Sequence, residues 1–157
     1  MSRVIIPTPL REIDVGILGR REKIQTVAIL IVHGQSQRSM RLHAMQDMDL
    51  AFPLYDPENR YLVHNANMPL PEFLKDFEFR GIIFTHSFFS LMHSRRTFAR
   101  LSEEWSWLNS CDVKKVALPQ DDYMCSENRD WWYTSMAMDA VFPVCPQDSW
   151  ERLIPRY

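Results

Sequence analysis

The run TVAILIVHG, residues 26–34, is aliphatic on both of its alternating faces and ends in a histidine and a glycine. A strand with one side in water alternates apolar and polar residues, so this run suits a strand covered on both sides, in the middle of a parallel sheet. That reading constrains the rest of the chain. Parallel neighbours cannot be joined by tight hairpins and need crossover connections, usually helical. Four further apolar runs follow at suitable distances: RYLVHNA (60–66), RGIIFTHS (80–87), KKVALPQD (114–121) and DAVFPV (139–144). The expected fold is therefore α/β, a Rossmann-like, doubly wound and mostly parallel sheet covered on both sides, with strands over 27–32, 61–64, 82–85, 115–118 and 140–142.

The intervening segments read as helices. PLPEFLKDF (69–77) carries prolines at its start, where a missing N–H costs little. In RTFARLSEEWSWLNS (96–110), Phe98, Leu101, Trp105 and Leu108 form one apolar stripe, and Trp107 falls off it, partly exposed or meeting another element. SENRDWWYTSMAM (126–138) opens on Ser126 as N-cap with Glu127 in the first turn, and PQDSWERLI (146–154) makes a short last helix. Residues 38–58 are the least periodic, a helix ended by Pro53 and Pro57. Residues 1–25 lack periodicity and read as an N-terminal extension to a single domain over 26–157.

A net charge of -2 gives no electrostatic reason to expect nucleic acid or an anionic membrane as partner. No apolar run approaches the ~20 residues of a membrane span. Pro7 and Pro9 break the only apolar stretch near the N-terminus, so no signal peptide is expected and the cytoplasm is the expected location. The basic clusters Arg20-Arg21-Glu22-Lys23 and His93-Ser94-Arg95-Arg96 read as solvated edges, with a phosphate clamp as the alternative. Cys111, Cys125 and Cys145 form no C-x-x-C pair, which leaves reduced, mostly buried thiols. None of the four glycines belongs to a phosphate-binding loop of known type, and no metal-ligand spacing occurs; no cofactor and no metal are expected.

An open parallel sheet binds ligands beyond the carboxyl ends of its strands, where strand order reverses. The residues there are His33, Gly34, Gln35 and Ser36; Asn65, Ala66 and Asn67; Thr85, His86 and Ser87; and Gln120, Asp121 and Asp122. They are donors and acceptors suited to hydroxyl-rich ligands. Each also has an ordinary structural reading. Asn and Asp after a strand make turns with their own backbone, and a strand-end histidine is often just hydrogen-bonded. Adjacent aromatics in Trp131-Trp132-Tyr133 point different ways, so at least one belongs to the core, and Met136-Ala137-Met138 reads as packing.

Three wordings over residues 27–157 resemble the N-terminal part of a bacterial group 1 glycosyltransferase of the GT-B type. They are YLVHNANMPLPEFL, then RGIIFTHSFFSL, whose His86 aligns with a histidine of the family, and WSWLNSCDVKKVALPQDDY followed by DAVFPVCPQDSWERLIPRY. The resemblance implies transfer of a sugar from a nucleotide-sugar donor to a hydroxyl acceptor. In such enzymes the N-terminal lobe faces the acceptor and a C-terminal lobe holds most of the donor. This chain matches the first lobe only, so the resemblance implies a fragment or one half of a split enzyme, requiring a partner lobe or subunit for transfer. It further implies catalytic roles for Asp121 and His86, with His33, Gly34, Asn65, Ser87, Gln120 and Asp122 binding substrate.

A noncatalytic carbohydrate-binding or protein-docking module is the alternative, with Trp107 and the aromatic helix as its surface. A phosphoacceptor receiver domain is excluded, because His33-Gly34 and Thr85-His86 stand where it needs acidic residues. A hydrolase lacks a serine elbow or an assignable carboxylate pair.

Overall fold

The structure, a computed structural model, describes residues 28–36 and 43–157. The extension expected over residues 1–25 lies outside the described residues.

Five strands, β1 (Ala28–His33), β2 (Arg60–Asn65), β3 (Phe79–Phe84), β4 (Lys114–Ala117) and β5 (Ala140–Val141), pair in the order β2-β1-β3-β4-β5. Every pairing is parallel. The fold is thus the expected Rossmann-like α/β sheet, with β1 near its middle. Each apolar run supplies one strand, although the boundaries shift. β3 begins at Phe79 because Phe79 pairs with Ala28 at the start of β1. β5 is only two residues long, since Pro143 follows closely and cannot donate to a ladder.

Among the described residues five α-helices accompany the sheet: α1 (His43–Tyr55), α2 (His86–Ser90), α3 (Arg95–Glu104), α4 (Ser126–Ser135) and α5 (Trp150–Leu153). α1 continues through Pro53 instead of ending there. The segment 69–77 forms only a 3-10 turn, Glu72–Leu74, because Pro69 and Pro71 precede it and β3 takes up the chain at Phe79. The stripe on α3 is real: Leu101, Trp105 and Leu108 are fully buried, and Phe98 packs edge-on against Trp131 at 5.4 Å. Ser94 caps this helix by accepting from the Thr97 N–H. Past Glu104 the chain tightens to a 3-10 turn, Ser106–Ser110, which lays the half-buried Trp107 on Trp105 with ring centres 6.2 Å apart. Lys115 reaches the end of that turn, where its ammonium donates to the carbonyls of Leu108 (3.0 Å) and Cys111 (2.9 Å).

The core lies on one face of the sheet. Leu30, Val32, Ile82, Phe84 and Ala117 meet Phe88, Phe89, Trp105 and Trp132. Phe84 is the hub, with Trp105 and Trp132 edge-on at 5.3 and 5.8 Å. Trp132 and Tyr133 are buried while Trp131 is exposed, and Met136 and Met138 pack in the core. On the opposite face, Ile29, Gly81, Ile83 and Val116 line a shallow apolar groove of about 220 Å³, flanked by Arg80 and Lys114. Strand order takes the β1–β2 crossover in the opposite direction to those after β3, and the right-handed rule for such crossovers puts their helices on opposite faces.

The thiols correct another expectation. All three are free, Cys125 is exposed, and Cys111 and Cys145 are half-buried. Cys125 sits in a left-handed turn ahead of α4, and the other two lie in loops, Cys111 packing against the edge of the core.

Candidate functional site

Strand order reverses between β1 and β3, and the exits of these two strands lie side by side. Gly34 follows β1, and its N–H donates to the hydroxyl of Ser87 (3.0 Å) in α2. The Ser87 hydroxyl in turn donates to Asp49 Oδ2 (2.8 Å), and the Gln35 side-chain amide donates to the same oxygen. Thr85 adds its hydroxyl 3.3 Å from that of Ser87. Asp49, on α1, is 1% exposed. A carboxylate this deep is tolerated only when hydrogen bonds and positive charge surround it.

The other oxygen, Asp49 Oδ1, lies 3.4 Å from Nδ1 of His86. Asp49 Oδ1 itself has no hydrogen-bond partner among the described residues, and a ring proton on Nδ1, facing it, leaves Nε2 as an acceptor. Nε2 of His86 is buried and has no hydrogen-bond partner among the described residues. Leaving such a group unpaired costs ~1–3 kcal/mol. His33 has the opposite tautomer. Its Nδ1 accepts from the Gln35 N–H (3.3 Å) and lies 3.9 Å from Asp49 Oδ2. Burial lowers the His33 pKa, and the Asp49 charge opposes that only in part.

The loop after β2 braces the site without entering it. Asn65 Nδ2 donates to the Gln35 carbonyl (2.9 Å), and Asn67 Nδ2 to the carbonyls of Gly34 (2.9 Å) and Gln35 (3.2 Å). Asn65 Oδ1 accepts from the Asn67 N–H, the Asx-type turn of the structural reading.

After β4 the expected residues part company. Gln120 and Asp121 are exposed, and Asp121 occupies a left-handed conformation with φ 54. Its carboxylate holds no hydrogen bond among the described residues, while its carbonyl accepts from Arg129 Nη1 (2.8 Å). Asp122 is buried; Oδ2 accepts from the N–H groups of Val144 (2.6 Å) and Cys145 (3.0 Å), and Oδ1 lies 3.7 Å from Arg129 Nη1. Asp122 thus ties the loops after β4 and β5 together.

So the structure gathers His33, Gly34, His86 and Ser87 around one carboxylate. It assigns Asn65 and Asp122 to backbone bonds, and leaves Gln120 and Asp121 on an exposed turn. Asp49 was missed in the sequence. Its one signal is an aspartate inside the apolar stretch AMQDMDLAF, and Asp47 two residues earlier, which proves exposed, carries the same signal.

One neighbouring histidine gives a pH prediction. His64 on β2 is buried beside Trp105, ring centres 5.9 Å apart, and its Nε2 has no partner among the described residues. Burial first, then the charges of His33 and Arg100, bring its pKa down from 6.5 to about 4. In the unfolded chain the ring takes a proton as pH falls through 6.5; in the fold it resists until about 4. Stability is therefore lost across that window, by an amount on the order of 3 kcal/mol. Urea unfolding of His64→Leu at pH 7 and near pH 4.5 should show a pH dependence about 2 kcal/mol shallower than the parent's. An unchanged slope would remove His64 as the cause.

Fold and site together define an open parallel α/β domain with a buried carboxylate–imidazole pair at its switch point. Comparison with family models, curated proteins and solved structures finds no match to this chain. Among the described residues, no group of His, Cys, Asp or Glu side chains is arranged to hold a metal ion, and no helix is long and apolar enough to cross a membrane.

Proposed function

We propose that the chain is the acceptor-side lobe of a glycosyltransferase, which moves a sugar from a nucleotide-sugar donor to a hydroxyl. The observation that carries this reading is the buried Nε2 of His86, without a partner among the described residues, with Asp49 facing Nδ1. An acceptor nitrogen at a sheet switch point fits an O–H donor and rejects a carbonyl or a carboxylate. As the acceptor oxygen bonds to the anomeric carbon and the bond to the leaving phosphate breaks, the hydroxyl proton passes to His86 Nε2. Asp49 holds the ring in the right tautomer and stabilises the imidazolium, and Ser87 and Gln35 hold Asp49. The resemblance of RGIIFTHSFFSL and KKVALPQDDY to group 1 enzymes supports the sugar-transfer chemistry. Asp121, exposed at the next strand exit, is the second candidate for the proton acceptor. The donor is held mainly by a second lobe, so this chain alone transfers no sugar.

The loops after β4 and β5 favour a second reading. They expose Tyr123, Met124, Phe142 and Val144, and the two rings suit stacking on sugar in a noncatalytic carbohydrate-binding module.

Calorimetry and imidazole ¹⁵N spectra of the chain test both. The transferase reading expects unphosphorylated monosaccharides or alkyl glycosides to shift His86 Nε2 saturably, and His86→Ala to abolish their binding. It also expects no micromolar binding of a nucleotide sugar. Binding that survives His86→Ala and fails in Tyr123→Ala selects the module. Micromolar binding of a nucleotide sugar to the chain alone contradicts the acceptor-lobe assignment. In an enzyme assembled with its donor lobe, His86→Ala is expected to cut turnover by ~10²-fold or more, and Asp121→Asn to cost far less. The reverse order hands the proton to Asp121.

A further inference from the structure

We propose that Arg129, at the start of α4, is the anchor of an oxyanion site that takes a phosphate or a carboxylate group, separate from the cluster around His86. The guanidinium has five N–H donors, arranged so that Nε and Nη2 form one edge, the edge that grips two oxygens of an anion side by side. In this structure Nη1 is occupied by the carbonyl of Asp121 at 2.8 Å and faces Asp122 Oδ1 at 3.7 Å. The other edge is open: both Nε and Nη2 are buried and have no hydrogen-bond partner among the described residues. The Arg129 side chain is only 2% exposed, so water at the surface does not satisfy it.

The local carboxylates do not fill that edge. Asp122 gives Oδ2 to two backbone N–H groups and meets Arg129 from the Nη1 side. Asp130 accepts from the Arg156 N–H at 3.0 Å and faces the Arg156 side chain at 3.6 Å. The carboxylate of Asp121 forms no hydrogen bond to Arg129. Asp122 answers the charge of Arg129 from the Nη1 side, and what remains unmet among the described residues is two N–H donors, on an edge shaped for two oxygens.

Three neighbours suit the same ligand. One turn further along α4, the hydroxyl of Tyr133 is also buried and without a partner among the described residues. The first turn of α4 has no side-chain cap, since Cys125 stands at the N-cap position in a left-handed conformation. The amide end of a helix favours negative charge. His93, from the basic cluster His93-Ser94-Arg95-Arg96, lies within electrostatic range of Arg129.

Carboxylate and phosphate share the chemistry of two coplanar acceptor oxygens, and separate titrations distinguish them. The wild-type chain is titrated with inorganic phosphate, with acetate, and with sodium chloride at matched ionic strength, following the Arg129 Nε–H resonance and the melting temperature. The expected result is a saturable shift of that resonance and a rise in melting temperature with phosphate or acetate that chloride does not reproduce. Arg129→Lys keeps a cation against Asp122 and loses the fork, so it should bind the same anion about tenfold more weakly. Tyr133→Phe, which leaves the Asp122 contact untouched, gives an independent reading with a smaller loss should Arg129→Lys fold poorly. Response to phosphate alone assigns a phosphate ligand; response to acetate alone assigns a carboxylate. Absence of a saturable shift with either anion, or equal affinity in both variants, overturns the proposal and leaves the fork to internal water.

Discussion

Asp122→Ala is expected to lower the melting temperature by about 10 °C, against almost no change for Asp121→Asn. The two residues are adjacent in LPQDD and chemically identical, so the contrast isolates what burial does. In the alanine variant the N–H groups of Val144 and Cys145 lose their acceptor, and Arg129 keeps a buried positive charge without its counter-ion. Breaking a buried pair from one side costs ~3–5 kcal/mol, most of it the penalty on the charge left behind. Asp122→Asn keeps an oxygen for the two N–H groups but turns an amide toward Arg129, so it should fall between. Asp121 risks nothing of this kind. Its carboxylate is free of hydrogen bonds among the described residues, and asparagine tolerates the left-handed backbone that position needs. Thermal melts of the three variants check the ranking. Equal losses at 121 and 122 would show that the staple between the β4 and β5 loops is not what holds this rim.

Gly34→Ala should cost about 3 kcal/mol and also disturb the site. A Cβ at Gly34 would lie 2.4 Å from the Ser87 carbonyl oxygen and 2.7 Å from Leu91 Cγ. Leu91 can turn aside, but the carbonyl belongs to the backbone of α2, so either that helix or the β1 exit must move. The same displacement pulls the Gly34 N–H from the Ser87 hydroxyl and loosens Asp49, and with it the orientation of His86. Chemical denaturation should show the loss, and the ¹⁵N shifts of His86 should move toward a mixture of tautomers. A stability loss with unchanged His86 shifts would make Gly34 a packing residue only.

The sheet was legible because β1 is apolar on both faces, and each later run has enough length and aliphatic content to fix a strand. Ends were harder. Pro143 cuts β5 to two residues, and pairing with Ala28 pulls the start of β3 back to Phe79, and neither effect follows from hydropathy. In the site, strand ends pointed to His33, Gly34, His86 and Ser87 because topology alone brings those exits together. Asp49 escaped because its partners come from β1 and α2, and nothing local to α1 distinguishes it from Asp47. The roles of Asp121 and Asp122 were open for a similar reason: which of two neighbouring carboxylates turns inward is decided by the backbone of a loop after a different strand, at Val144 and Cys145.

The outermost strands of the described sheet differ in a way that bears on self-association. β5 offers a partner strand only two residues of free edge before Pro143, too short a template for another chain to zip onto. β2 offers six, from Arg60 to Asn65, and its apolar residues Leu62 and Val63 are only half-buried. If copies of this chain pair edge to edge at high concentration or on partial unfolding, the contact will run along β2. A lysine at Val63, which unlike Leu62 does not pack against the core, is then the substitution that keeps the molecules apart.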